Sequence, residues 1–427
     1  MNQSLNNLQK YLFIVLIYLS GFGAYALDLL KIASKTALYL SFDVLIIALA
    51  ILSFSYMRSR LIYIVLFILS GIVMNLTYSE TSLYQSFNGI REIFLVIAAV
   101  IFFNKIFAKG NEALVEEYIA IMKNFAWVFL ILNVPIAFSQ YLINGPTDAV
   151  GGSYGYGGSG VLTLSIVCLV YFMQLYYQGR FVLSAILFLT LVPLLWNETK
   201  VSFILIPALI FVLKVKPKLS NILLAVGGAI LFFFIFNHFF EATFLDFDDS
   251  ASSIFSKDFL SDYLAADVSV YNDIPRITKI ALAWNMMLDN TTAMFFGFEY
   301  GIFRGGSSVE LSQFAITNQW MLFGTRPYLF FLMIQGGLFL VVGFFALAFH
   351  ANNFLRNSNK FQWFLFGLLM LIMLYNDTFR THCFVIIFFF MVFFATSPAY
   401  RKLVGDEPME EDEVEAPEIP EPVNYRQ

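Results

Sequence analysis

The sequence predicts an all-α polytopic membrane protein with about twelve transmembrane helices and one large outer loop between spans nine and ten. Three observations carry this. Of the 427 residues, 59% are hydrophobic and 13% charged, against roughly 45–50% and 25% in soluble domains. Apolar runs approaching the ~20 residues that cross a hydrocarbon core recur along the chain, too many for a signal peptide. These runs lack the period-two alternation of a membrane barrel, so their backbone N–H and C=O groups must be satisfied within helices.

In order, the runs fall at 11–30, 37–56, 61–79, 90–108, 124–143, 161–178, 181–196, 201–213 and 219–240, all within an N-terminal bundle covering 1–240. The seventh and eighth are short and meet at "WNETK". Residues 241–325 form the one long connection, rich in Phe, Tyr, Leu and Met, with a helix expected at Pro275–Leu288 because proline suits a first helical position. It is expected to fold as a cap over the outer mouth of the bundle. Spans ten to twelve follow at 326–350, 361–376 and 381–397, within a unit covering 326–402. Residues 403–427 form an acidic tail, with nine Asp or Glu in the last 22 positions and little to bury, which reads as a disordered cytoplasmic extension.

Orientation follows from the cations. With both termini inside, short inner connections and termini hold fifteen Lys or Arg and short outer ones five, the bias that sets topology. Cys168 and Cys383 lie inside spans, which argues against a disulfide framework or zinc site. The three histidines are isolated, and no metal, cofactor or nucleic acid is expected as a partner.

The outer cations are the candidate chemistry. Arg91, Lys200, Arg276, Lys279, Arg304, Arg326 and Arg380 stand where the topological bias should remove them, several at helix ends that converge. Guanidinium groups there suit phosphoryl oxygens, which they bind in bidentate, charge-assisted fashion. Acids accompany them: Glu92, Glu198, Asp273, Glu299 and Asp377. Each reads either as a local ion-pair partner or as a general base. Asp43, in the middle of span two, is an intramembrane carboxylate and so a functional candidate. The outer loop "GPTDAVGGSYGYGGSG" offers backbone for close approach, with Tyr154 and Tyr156 as rings able to stack on sugars.

The run "TRPYLFFLMIQGGLFLVVG" from Thr325 resembles the motif that begins the span after the large periplasmic loop in the bacterial O-antigen ligase and O-antigen polymerase superfamily. Upstream, "PRITKIALAWNMMLDNTTAMFFGFEYGIF" is similar to that family's Arg, Trp and Gly-x-Gly-like turn at Arg276, Trp284, Gly297, Gly301 and Phe303. Thr199-Lys200 resembles its Ser-Arg pair, and the glycine loop at 151–160 takes the place of its Gly-rich segment. Arg326-Pro327 stand where ligases carry His-Asn, with Gln335 for the acid, which favours the polymerase branch.

The resemblance implies a metal-independent glycosyltransferase of the bacterial inner membrane. It would join undecaprenyl-pyrophosphate-linked oligosaccharides on the periplasmic side, with a flippase and a chain-length regulator as candidate partners. Arg276, Arg326 and Lys200 would hold the pyrophosphate, with Arg91, Arg304 and Arg380 beside them. Glu299 or Asp377 would serve as base, with His382 behind them. Ligation to another acceptor and transport of a lipid-linked glycan are the alternatives.

Overall fold

The computed structural model describes residues 2–30, 35–145, 147, 149–155, 157–177, 180–197, 205–206, 209, 274, 276–302, 312–322, 326–352 and 359–404. Among these, the regular elements are all helices: α1 Asn2–Leu29, α2 Lys35–Ile51, α3 Ser59–Tyr78, α4 Leu83–Ile106, α5 Glu112–Asn144, α6 Ser159–Tyr176, α7 Phe181–Leu189 and α8 Pro193–Trp196. After the connection come α9 Arg276–Leu288, α10 Thr291–Phe296, α11 Gln313–Thr317, α12 Gln319–Leu322, α13 Tyr328–Asn352, α14 Lys360–Tyr375, α15 His382–Ala395 and α16 Pro398–Val404. By length and composition alone, six helices pass as membrane-crossing candidates, α1, α3, α4, α5, α6 and α13 taken end to end, and α15 with α16, bent by 71°, passes as a pair that is either a broken span or a re-entrant turn. Shorter apolar helices cover Ala37–Ile51, Phe181–Trp196 and Lys360–Tyr375. The runs expected at 201–213 and 219–240 fall almost wholly outside the described residues.

Every residue of α15 is buried, and the helix packs on α1, α4, α6, α13 and α14. Lipid tails are as apolar as leucine, so such helices associate through packing rather than through expulsion of water. Rings do that work here: Phe390 meets Phe103 at 5.9 Å and Phe172 at 5.6 Å, and Phe394 meets Phe172 at 5.3 Å. One end of the bundle is basic and tied by polar contacts. Gln9 donates to Ser53 at 2.9 Å, Lys105 reaches Gln9, and Lys10 pairs with Glu117. At the same end a reciprocal cap between Asn359 and Gln362 starts α14.

The helix α13 departs from the straight span expected at 326–350. At Gly337 the backbone has φ 58° and ψ −155°, outside helical space. A straight helix would set Tyr328 and Phe344 about 24 Å apart. Their ring centroids lie 5.1 Å apart, and Leu332 and Leu340 line the same small apolar cavity. The element is therefore a hairpin, with a first arm over 328–336 and a second over 338–352, and only the second arm leads to the basic end. Positive φ is open to glycine and disfavoured for other residues. A continuous apolar run contains no other sign of the turn.

The described part of the long connection wraps this first arm. Ala283 and Met287 of α9, Ala315 of α11 and Met321 of α12 form one cluster with Phe330, Met333 and Ile334. The helix expected at Pro275–Leu288 is present as α9 over Arg276–Leu288, packed beside the hairpin; most of the connection expected to cap the bundle lies outside the described residues.

Candidate functional site

Seven ionisable side chains meet at the end of the bundle opposite the basic one. The α14–α15 connection carries Asp377, a short turn Thr378–Arg380, and His382 at the start of α15. Arg380 donates through Nε and Nη2 to both oxygens of Glu92 at 3.0 and 2.9 Å, and through Nη1 to Asp377 at 2.6 Å. Burial disfavours the Arg380 charge, yet Glu92 and Asp377 more than offset this and hold its pKa above the ordinary value. Its guanidinium also covers the Phe331 ring at 5.0 Å. Arg326, just ahead of the first arm of the hairpin, lies 3.4 Å from the same Asp377 oxygen. On the other side of Glu92, its neighbour Arg91 lies 3.5 Å from Asp43, whose second oxygen shares a 2.6 Å hydrogen bond with His382 Nε2. Tyr39 stacks on the His382 ring and Phe42 meets it edge-on.

Three guanidinium groups and three carboxylates thus alternate in space, drawn from α2, α4, the lead into α13 and the α14–α15 connection. Paired in this way the charges tolerate burial that none would tolerate alone. Arg276 reaches the same region, with its guanidinium over the Tyr375 ring at 4.3 Å, two residues before Asp377. The helices that set this depth are short. By the rise of an α-helix, α14 and α15, with 16 and 14 residues, extend only about 24 and 21 Å.

Beside them the two glycine motifs interlock. The 297–301 turn presses into the hairpin tip: Phe298 N donates to Ile334 O at 2.8 Å, and Gly301 N lies 3.4 Å from Gln335 Oε1. Asn75 Nδ2 donates to Phe296 O at 2.8 Å and to Gln335 O at 3.3 Å, and Tyr78 donates to Gly297 O at 2.6 Å. These bonds satisfy the Ile334 and Gln335 carbonyls freed where α13 breaks and the Phe296 and Gly297 carbonyls at the end of α10, the condition for irregular backbone at membrane depth. At Gly301, φ is 80° and an added Cβ would stand 1.9 Å from Gln85 O.

Glu299 sits within this turn, held by Ser312, with Oε2 buried and lacking a hydrogen-bond partner among the described residues. Burial first, opposed by the Ser312 bond and reinforced by Glu80, raises its pKa. It belongs to the glycine turn rather than to the ion network. Lys279 is fully buried on α9.

Of the residues singled out in the sequence, Arg91, Arg326, Arg380, Asp377 and His382 come together, and Arg276 adjoins them. Tyr154 is half-buried, packs on Phe129 at 5.7 Å and shares a hydrogen bond with Ser165. Its ring is thus engaged inside the bundle rather than open for stacking, because Gln140 and Asn133 of α5 pin the glycine loop inward. Lys200, Arg304 and Tyr156 lie outside the described residues.

Two members of the network, Asp43 and Glu92, were legible only as an intramembrane acid and as a neighbour of Arg91. Their partners lie 339 and 288 residues away in sequence. Asn75 and Tyr78, which staple the glycine turn, carried no signal beyond being polar residues near the end of an apolar run. Compared with known proteins, the chain matches no family model, no curated protein and no solved structure.

Proposed function

We propose that this protein is a glycosyltransferase that polymerises a bacterial surface polysaccharide from undecaprenyl-pyrophosphate-linked repeats. In this reading twelve spans place both termini in the cytoplasm and the ion network toward the periplasm. The observation that carries it is the convergence of Arg91, Arg326 and Arg380, with Arg276 beside them, at one end of the bundle.

Asp377 is shared by two arginines, and its contact to Arg326 is long at 3.4 Å. A pyrophosphate competes best at that contact, because it offers more acceptor oxygens to the same guanidinium groups. An acceptor hydroxyl of one repeat attacks the anomeric carbon of another, forming the glycosidic bond. The bond to the pyrophosphate oxygen breaks, and the electron pair leaves with undecaprenyl pyrophosphate. The arginines stabilise that developing charge, and the hydroxyl proton passes to Asp377 once it is displaced. Glu299 is the other candidate acceptor. Lys200 and Arg304 complete the anion site in this reading.

Two features favour transport as a second reading, since transporters use broken helices and intramembrane ions: the fold-back at Gly337 and the Asp43–His382 pair. The break, however, is filled by the 297–301 turn rather than open to a ligand. The deciding experiment is the glycan ladder of cells carrying the wild type, Arg276→Ala or Arg326→Ala at matched membrane levels. Polymerisation expects long chains to vanish while single repeats still reach the surface. Failure of both to join their acceptor indicates ligation, and unchanged ladders overturn the site.

A further inference from the structure

We infer that the acidic segment 406–421 of this chain docks on the basic end of the bundle, at the cations around α16. The helix α15 is buried along its whole length, which places it at the centre of the bundle, and α16 turns away from its end by 71°. Tyr400 holds α16 down: it is buried, and its ring meets Phe361 at 5.6 Å and Phe394 at 5.8 Å. The same helix packs on α5 and α6. Asp406, the first acid of the segment, follows two residues after Val404, where α16 ends.

Four cations surround that point. Arg401 and Lys402 are exposed on α16. On the helices it packs against, Lys123 of α5 lies over the Tyr176 ring at 4.5 Å, and Arg180, just past α6, over the Tyr177 ring at 5.9 Å. None of the four pairs with a carboxylate among the described residues. The described acids at this end, Glu112, Glu116 and Glu117, stand at the start of α5, and Lys10 takes Glu117. From Asp406 to Glu421 the chain carries nine carboxylates and no Lys or Arg. Tethered two residues from α16, these carboxylates face the four cations at effective concentrations on the order of mM. Anionic lipid headgroups are the competing occupant. They ring the perimeter of a bundle, whereas α16 starts from its buried central helix, and they repel the carboxylates of the segment.

The test measures the distance between nitroxides at Ala120→Cys, exposed on α5, and Val414→Cys, by double electron–electron resonance on the full chain in phosphatidylcholine nanodiscs. The native Cys168 and Cys383 are buried. A short, narrow distance is expected in ~0.1 M salt, its population falling about twofold or more in ~1 M salt, where the screening length drops from ~10 to ~3 Å. A free polyanionic segment behaves oppositely, since its self-repulsion keeps it extended until salt lets it contract. Shortening with salt, or a broad distribution that ignores salt, therefore overturns the inference. Carrying E410Q, E411Q, D412N, E413Q and E415Q together leaves the membrane-embedded part unaltered and is expected to release the segment in ~0.1 M salt; retention of the short distance refutes charge-driven docking. Nanodiscs enriched in phosphatidylglycerol are expected to preserve the short distance, and its loss there would assign the cations to lipid instead.

Discussion

The two ends of the bundle each hold an ion pair at the same 2.9 Å, and the two pairs are not equivalent. Lys10 and Glu117, at the basic end, have side chains 34% and 51% exposed. Arg380 and Glu92, at the other, are 15% and 4% exposed, with both carboxylate oxygens engaged. Water competes for the first pair, and side-chain entropy consumes most of its gain. Nothing comparable solvates the second, so each partner there is the other's replacement for water. Distance alone says little about an ion pair; the surroundings decide what its loss leaves behind.

The largest effect is therefore expected from Glu92→Ala, which removes two of Arg380's hydrogen bonds and leaves Asp377 as a single carboxylate shared by Arg380 and Arg326, and should cost roughly 3–5 kcal/mol. A denaturation titration of the purified protein checks this. Replacing both partners with methionine should restore most of the loss, and a double variant no more stable than Glu92→Ala would break the comparison. Gly337→Ala comes next, because an added Cβ meets Gly297 N at 2.5 Å and Phe295 backbone at 2.6 Å, with φ at 58°. The cost should reach about 1–3 kcal/mol or more, read as a lowered thermal midpoint with the basic end intact by cysteine accessibility.

Much of this end was visible in the sequence as single residues and little of it as an arrangement. The arginines stood out because topological bias should remove cations there, and Asp43 because a bilayer penalises a lone carboxylate. That Asp43 belongs with His382, and Glu92 with Arg380, depends on which helices pack together, which periodicity does not encode. The hairpin escaped for a different reason. Residues 328–352 are as apolar as any straight span, and two adjacent glycines are common in membrane helices. The turn is specified by what fills it, namely the 297–301 turn and Asn75.

A smaller effect sharpens the comparison through pH. Burial raises the Glu299 pKa above its ordinary value near 4.5, so the folded state favours the protonated form. The stability this gives is complete below the unfolded pKa and is lost as pH rises through the folded one. Glu299→Gln should therefore match the wild type in acid and gain on it toward neutrality. Parallel pH profiles of stability for the two proteins would contradict the assignment. The smallest effect belongs to Lys10→Ala, expected to change stability by less than about 1 kcal/mol; a larger loss would show that the basic end is not as solvated as its exposure indicates.

The folded-back helix also bears on the membrane itself. The second arm spans 338–352 and α14 has 16 residues, so this flank of the protein offers about 22–24 Å of helix to a hydrocarbon layer of ~30 Å. The opposite flank, with the 28 and 33 residues of α1 and α5, has length to spare and can tilt. Such one-sided hydrophobic mismatch thins the lipid next to α14 at a cost of fractions of a kcal/mol per Å. Short-chain lipids relieve that deformation, so they should collect on this flank, beside the Arg276 and Tyr375 contact.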